Sequence, residues 1–563
     1  MISKVISKLN SEIRGLHEAA YILGLLTIIS TVLALLRDRL FAHVFGASAI
    51  LDVYNAAFKI PDLIFVMIAS LVSAFVLIPA LAEKKLQNSE RSFLRTITAV
   101  TGAVLVTVSV TLIFVVPYIL PYFFPSLFER GYGEELILMT QILLIQPIIL
   151  GISNIASSVV QFYGRYTLYA LAPVLYNLGI MFGAYVLYPF FGVGGLATGV
   201  VTGALLHLGV QAPFFVAHGL SKTSIDAGFG KLKDYIRVIT FSIPRTLSLS
   251  LGNITLLIII MYAATLKEGS IALFTFAFNL QAAPLAIIGA SYSVAAFPTL
   301  SRLYRANAYE EFVSHITTAS RHIIFWSLPF LALCIVLRAH IVRAVLGSGA
   351  FSWSDTRVTA AAFALFAVSL TSQALSMLFI RGYYAAERTT IPLAISIVSS
   401  VVSVVSAITL VQAYQSEEFF RYFLHSLLRL ADTDDASVAL LALGFAIGTT
   451  VSVMAHMWFF SRTFISVPLT IGRSLREGFV AAVFAGFGSY LVLAFFSTRY
   501  SLDTFLSIVS QAGVATIVGS ATAALILYLL GNNEVKEVYK ALHGSFRKVT
   551  IRGIETTDAS TTL

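Results

Sequence analysis

The chain is predicted to be an all-α, polytopic membrane protein: about fourteen transmembrane helices, in two parallel six-helix repeats plus two C-terminal helices. Three observations carry this. Of 563 residues, 58% are hydrophobic and 12% charged, where soluble domains carry roughly a quarter charged residues. The apolar runs are roughly 20–28 residues long, enough for a helix to cross a bilayer. Landmarks in the chain recur about 220 residues apart. In lipid every backbone polar group must be satisfied internally, so spans are helices or closed barrels. Unbroken runs, not alternating ten-residue strands, select helices.

In order, the spans read as 19–36, 58–82, 96–121, 136–161, 166–188, 192–217, 236–264, 269–296, 312–337, 357–384, 388–413, 437–463, 475–497 and 504–530. Met1 to His17 is short, basic and amphipathic, and the first apolar run continues into a full span, so no cleavable signal is expected. Arg37 to Ala57, partly polar, is expected to continue the first helix. The longest connector is Tyr414 to Asp435, and its Phe419–Leu430 stretch has the pattern of an amphipathic helix at the interface. A polar tail follows Asn532.

Charge sets the orientation. Lys4, Lys8 and Arg14 precede the first span. Lys84, Lys85, Arg91 and Arg95 follow the second, and Lys222, Lys231 and Lys233 the sixth. Arg302 and Arg305 follow the eighth, and Arg462, Arg473 and Arg476 the twelfth. The alternate loops are acidic or nearly uncharged, apart from the region after the first span. Positive loops stay inside, so both termini are expected in the cytoplasm, which requires an even span count. The expected domains are a cytoplasmic segment 1–18, an N-terminal lobe 19–217, a linker 218–235, a C-terminal lobe 236–463, two appended helices 475–530 and a tail 531–563.

The net charge of +9 is read as this loop charge, not as a nucleic-acid surface. Cys334 is the single cysteine, so no disulfide framework or cysteine metal site forms within the chain. The sequence contains no GxxxxGK[ST] loop, HExxH pair or GxSxG elbow. No catalytic residues, cofactor or metal are expected, and an enzyme is the least favoured class.

"AAFKIPDL" at Ala56–Leu63 resembles "FAFNLQAAPL" at Phe276–Leu285, Pro79 matches Pro298, and Pro173 matches Pro392. The interval holds six spans, so the halves face the same way. Parallel repeats of this kind belong to transporters, whose site lies at the repeat interface.

Ionisable groups within spans cost roughly 2.5–3.5 kcal/mol each and usually face a cavity. Arg37, Asp38, Arg39, His43, Asp52, Lys59 and Asp62 form the densest group, and Arg245 follows Pro244 in the seventh span. Arg37, Arg39, Lys59 and Arg245 are candidate cavity cations for an anionic headgroup, since the Arg fork suits phosphate. The alternative for the first three is snorkelling beside Asp38 and Asp62. Asp52 either neutralises such a cation or switches on protonation, or else caps the helix starting near Val53. If the headgroup reading holds, Arg37, Lys59 and Arg245 should converge on one cavity. His207 and His456 are read as interhelical hydrogen-bonding groups, and Asn154, Asn177, Asn253, Asn279 and Gln373 as polar glue.

The stretch "STVLALLRDRLFAHVFGASAILDVYNAAFKIPDL" at Ser30–Leu63 resembles the MurJ/MviN lipid II flippases, of the multidrug/oligosaccharidyl-lipid/polysaccharide exporter superfamily. Arg37, Asp38, Phe45, Gly46, Ala47, Asp52, Phe58, Lys59 and Pro61 match that pattern. "FVLIPALAE" at Phe75–Glu83, "FYGRYTLYALAPVLYNLGI" and "AAFPTLSRLY" extend the similarity, which covers about residues 19–530. The resemblance implies export of an undecaprenyl-pyrophosphate-linked peptidoglycan precursor, lipid II. It also implies a cationic cavity containing Arg37, Asp52 and Lys59, and a lateral groove for the polyprenyl tail at the last two spans. Four family cations and one acidic residue are missing here: Thr31 follows Ser30 where the family often has an Arg, Phe65 and Val66 replace an Arg pair, Asn279 an Arg, and Ser70 the acidic residue. Asn279 thus joins the candidate substrate-binding residues, with Arg39 and Arg245 as compensating cations.

The function expected is a lipid II flippase working by alternating access for cell-wall synthesis, with cell-wall synthesis proteins as possible partners. The alternatives are a flippase for another polyprenyl-linked glycan, a drug exporter of the same superfamily, or a non-transporting membrane scaffold.

Overall fold

The structure is a computed structural model that describes residues 16–217, 232–430, 433, 435–464, 471–498 and 504–538. Most of the expected segment 1–18, linker 218–235 and tail 531–563 lies outside the described residues. Among the described residues every regular element is helical. In the first half these are α1 (Leu16–Phe45), α2 (Ala49–Ala57), α3 (Lys59–Ala69), α4 (Ala74–Leu86), α5 (Glu90–Phe123), α6 (Pro125–Glu129), α7 (Gly133–Leu143), α8 (Ile145–Phe162), α9 (Tyr166–Phe182), α10 (Tyr188–Gly209) and α11 (Ala212–Phe215). Then follow α12 (Leu232–Ala263), α13 (Ser270–Leu285), α14 (Ser291–Arg305), α15 (Tyr309–Val336), α16 (Arg338–Leu346), α17 (Trp353–Val368), α18 (Leu370–Ala385), α19 (Thr390–Ser416), α20 (Glu418–Leu428), α21 (Ser437–Thr463), α22 (Gly472–Ser497) and α23 (Phe505–Leu529).

Among the described residues eleven helices are long and apolar enough to cross a membrane, or up to twelve if the bent pair α17–α18 is one span. The chain is therefore a multi-pass, all-α membrane protein. Proline explains two of the breaks. A proline lacks its N–H and its ring collides with the carbonyl four residues back. Pro61 accordingly ends α2 at Ala57, and Pro147 ends α7 at Leu143. The bend of 43° between α17 and α18 has no proline. There the Ser369 hydroxyl donates to the Phe366 carbonyl at 2.7 Å, which offers the backbone a local alternative to the helical ladder.

One candidate span, Tyr166–Gly209, is 44 residues long. At ~1.5 Å per residue it would measure ~66 Å, about twice the hydrocarbon core. It is instead a hairpin. Gly192 takes φ 54 and ψ −139 and breaks the helical path. Beyond it α10 folds back on α9, so that Gly179 faces Gly203 and Gly183 faces Gly199 with backbones in contact. A Cβ at any of these positions would enter the opposite backbone, the close approach that small residues permit in membranes.

The described chain forms two compact units. The first comprises residues up to Leu280, Val345–Ala362 and Thr389–Gly448. In it α3 packs on α8 and α12, α1 on α9, and α12 on α19. Polar glue joins them: Asn154 donates to the Ala69 carbonyl at 2.9 Å, and Ser70 to Thr246 at 3.0 Å. The second unit comprises Gln281–Ala344, Phe363–Arg388 and the chain from Thr449. In it α22 packs on α15 and α23, and Gly478 lies against Leu328 and Ile324. Gln373 donates to Gln281 at 3.0 Å.

The two histidines differ. His207 Nδ1 meets Ser153 Oγ at 2.7 Å across α8 and α10, an interhelical bond as expected. His456 departs from the expectation: both ring nitrogens are buried without a partner among the described residues. The neighbouring Tyr383 hydroxyl donates to the His456 carbonyl at 3.1 Å, and its ring lies 5.8 Å from the imidazole, centroid to centroid.

Candidate functional site: a polar cavity within the spans

The first unit encloses a cavity of about 260 Å³. Its walls come from five helices. Arg37, Asp38 and Phe41 descend from α1, Leu51, Tyr54 and Asn55 from α2, and Lys59 and Asp62 from α3. Tyr176 and Ile180 come from α9, and Thr275, Phe276 and Asn279 from α13. Positions three and four apart share a helical face, so 51, 54, 55, 58, 59 and 62 form one continuous polar-aromatic stripe across the Phe58 junction.

Arg37 and Asp38 are locked together. Arg37 Nη2 and Nε donate to Asp38 Oδ1 at 2.8 and 3.0 Å, and Arg37 Nη1 donates to Asn177 Oδ1 at 3.2 Å. Asp38 Oδ2 accepts from Asn279 Nδ2 at 3.0 Å. The guanidinium fork thus ties α1 to α9, and its carboxylate ties α1 to α13. Lys59 and Asp62, one turn apart on α3, supply the second cation and the second carboxylate. The four formal charges cancel.

Of the candidates named from the sequence, Arg37, Lys59 and Asn279 line this cavity, while Arg39, Asp52 and Arg245 do not. The three cations expected to converge are therefore two. Arg39 donates to the Val345 carbonyl at 3.3 Å. Asp52 is buried, and its carboxylate accepts from the backbone N–H of Gly269 at 2.7 Å and of Ala272 at 2.8 Å. It caps a helix as one reading held, but the helix is α13, not its own. Glu268 returns the contact, accepting from the Ala49 N–H at 3.1 Å. Gly269, at φ +87, lets the chain pass close over the Ala47 carbonyl. Sequence reasoning did not single out Tyr54, Asn55, Tyr176 or Thr275. The α2–α3 stripe was the available signal for the first two.

A second, apolar groove lies in the second unit. Phe487, Leu491, Phe495, Val514, Val518 and Thr522 line about 600 Å³ on α22 and α23. At one end of these helices Glu477 accepts from Arg473 Nε at 2.5 Å and from Asn532 Nδ2 at 2.8 Å. Among the described residues no group of three His, Cys, Asp or Glu side chains is placed to hold a metal ion.

Residues 41–511 match the family model described as "Lipid II flippase MurJ". A probable lipid II flippase MurJ of Buchnera aphidicola subsp. Acyrthosiphon pisum is 26% identical over 382 residues, covering 66% of this chain and 74% of that protein. One from Thermotoga maritima is 28% identical over 387 residues, covering 68% and 76%. Among solved structures, a lipid II flippase MurJ in an inward closed conformation superposes with a TM-score of 0.70 at 18% identity, over 91% of this chain and 99% of that one. A multidrug resistance MATE family transporter of the MOP superfamily, inward-facing, gives 0.63 at 15% identity, over 77% and 95%. At these identities the structures speak to the fold alone. The family model, spanning most of the chain in one stretch, says more: this chain belongs to the MurJ lipid II flippase family and is a multi-pass bacterial membrane transporter, not an enzyme.

Proposed function

We propose that the protein moves lipid II, the undecaprenyl-pyrophosphate-linked peptidoglycan precursor, from the inner to the outer leaflet by alternating access. The observation that carries this reading is the meeting of Arg37 and Lys59 in one polar cavity within the spans. Charged groups are expensive there, and they are retained where they face a ligand or a water path. Arg37 and Lys59 hold the pyrophosphate, and Asn279 orients Asp38 beside it. The polyprenyl chain rests in the apolar groove of α22 and α23. Arg39 and Asp52 serve the site by holding the helices that carry it, and Arg245 acts from α12.

The same reading has fourteen spans, two parallel six-helix lobes (19–217 and 236–463), two appended helices and both termini in the cytoplasm. Support comes from the helix inventory: the eleven candidates, the bent pair, α1 and the second limb of the α9–α10 hairpin make fourteen. Helix starts also recur about 220 residues apart, as Glu90 with Tyr309, Gly133 with Trp353, and Tyr166 with Thr390. Asp52 bonds to Ala272 and Ala49 to Glu268, residue pairs at that same offset. Repeat mates touch in this way only beside a two-fold axis.

A second reading, a flippase for another polyprenyl-linked glycan, is favoured by one feature. Asp38 and Asp62 balance the two cations, so the cavity is not net cationic. Expression in a strain depleted of its own lipid II flippase, with outer-leaflet lipid II assayed directly, separates the readings. Rescue that is lost in Arg37→Ala and Lys59→Ala supports lipid II. No rescue at normal expression and membrane insertion rejects it.

A further inference from the structure

We propose that Asp62 takes up one proton when a pyrophosphate diester enters the cavity, so that substrate loading is linked to protonation. The inference rests on the headgroup reading above and deepens it. A pyrophosphate flanked by two ester bonds carries two negative charges at any pH between about 5 and 8. The empty cavity holds Arg37, Lys59, Asp38 and Asp62, whose charges sum to zero. Loading the headgroup without compensation leaves excess negative charge in a membrane-embedded space, where opposed charges are weakly screened.

The two carboxylates are not equivalent. Asp38 accepts three hydrogen bonds, two from Arg37 and one from Asn279. Asp62 accepts no hydrogen bond and has no ion pair within 4.0 Å among the described residues, although it lines the same cavity. Protonating Asp38 would break an assembled network, whereas protonating Asp62 breaks none. The neutral acid also gains an O–H that can donate to a phosphate oxygen. Lys59, also without a partner within that distance among the described residues, is placed to bind the anion.

The other ionisable groups sharing the cavity are Arg37 and Asp38 on α1, Tyr54 on α2, Lys59 on α3 and Tyr176 on α9. Of the helices packed against α3, α8 carries no ionisable side chain. Those of α5, α7 and α12, Arg245, Glu134 and Glu135 included, do not line the cavity.

The test uses the full-length protein in nanodiscs and a short-chain prenyl-pyrophosphoryl sugar, whose own charge is constant over the range. Unmodified protein should bind the probe several-fold to about tenfold more tightly at about pH 5.5 than at about pH 8, as linkage to one proton allows. In weakly buffered medium at about pH 7.5, probe addition should draw about one proton per site from solution. Asp62→Asn should bind at about pH 8 as tightly as the unmodified protein does at about pH 5.5, with no pH dependence and no proton uptake. Retention of the pH dependence in Asp62→Asn overturns the proposal. So does the absence of proton uptake by the unmodified protein, a result that does not depend on any variant folding. Lys59→Gln probes the underlying reading. If it binds as the unmodified protein does, or if the unmodified protein binds at neither pH, the headgroup site itself is refuted.

Discussion

Replacing Asp52 should loosen the start of α13 far more than the chemistry of one surface-like carboxylate suggests. Its two oxygens accept the N–H groups of Gly269 and Ala272 at 2.7 and 2.8 Å in a buried setting. Each hydrogen bond to a charged group contributes roughly 1.5–3 kcal/mol, and a negative charge at a helix N-terminus adds up to ~2 kcal/mol in partly buried geometry. Part of that is returned because the buried carboxylate no longer has to be desolvated. A net local loss of ~3 kcal/mol is the expected result for Asp52→Ala. Asp52→Asn keeps the shape and one accepting oxygen, but turns an NH2 toward the second N–H, so about half the loss remains. The assay is hydrogen exchange of the segment containing residues 268–273 in nanodiscs. At ~1.4 kcal/mol per factor of ten, Asp52→Ala should speed exchange there ~100-fold. Segments of α22 and α23 serve as the control and should not change. If residues 268–273 exchange at the unmodified rate in Asp52→Ala, or if Asp52→Asn protects them fully, the capping account is wrong.

Gly183→Leu should reduce folded yield sharply in fluorescence-detected chromatography, since its side chain would enter the Gly199 backbone, an overpacking cost of ~3 kcal/mol or more. Gly102→Leu, where nothing lies within 4 Å of the added Cβ, should fold normally. Equal yields would refute the hairpin contact. Arg37→Lys should lower rescue of a flippase-depleted strain despite keeping the charge, because a lysine cannot hold Asp38 and Asn177 together. Rescue at the unmodified level would show that charge alone matters. Glu477→Gln should lower the thermal unfolding temperature measurably by weakening the contacts to Arg473 and Asn532. No shift would place that cluster among the neutral surface pairs. The α20 helix exposes Phe419 at 81%, Tyr422 at 73% and Leu427 at 60%. In a Cys334→Ser background, spin labels at Phe419 and Tyr422 should be more accessible to oxygen than to a water-soluble nickel reagent, and a label at Arg421, on the other side of the helix, the reverse. Uniform nickel access would remove α20 from the membrane interface.

How much of this was legible in the sequence depends on which physical constraint wrote each feature. Lipid imposes one rule on every span, so the apolar runs announced their helices without help from tertiary structure. The breaks inside them were partly legible. Pro61 and Pro147 act on the carbonyl four residues back, a local rule, whereas the bend at Ser369 needs a hydroxyl bond that any serine in a helix can make or decline. The apolar runs 166–188 and 192–217 were legible as two spans, and the structure places the turn between them at Gly192. In the cavity, Arg37 and Lys59 stood out because charge in a span is costly. Tyr176 did not, because a tyrosine in a span is unremarkable, and Asn177 was legible as polar glue but not as the acceptor for Arg37, 140 residues away in the chain.

Asp52 shows where local reasoning stops and what extends it. Capping rules look two or three residues ahead, and by that rule Asp52 belonged to the helix that contains it. Its actual donors lie at Gly269 and Ala272, beyond the reach of any local rule. Those donors lie about 220 residues on, the offset at which the sequence landmarks recur. In the proposed arrangement of two parallel halves about a two-fold axis, an element beside the axis faces its own counterpart. The start of α2 would then meet the start of α13, and each needs acceptors for its first unpaired N–H groups. Asp52 supplies them to α13, and Glu268 supplies one to Ala49 in return. Where two repeated helix starts face each other, an acidic residue in the first turn of one is therefore a candidate cap for the other, and a repeat period read from sequence converts into named contacts.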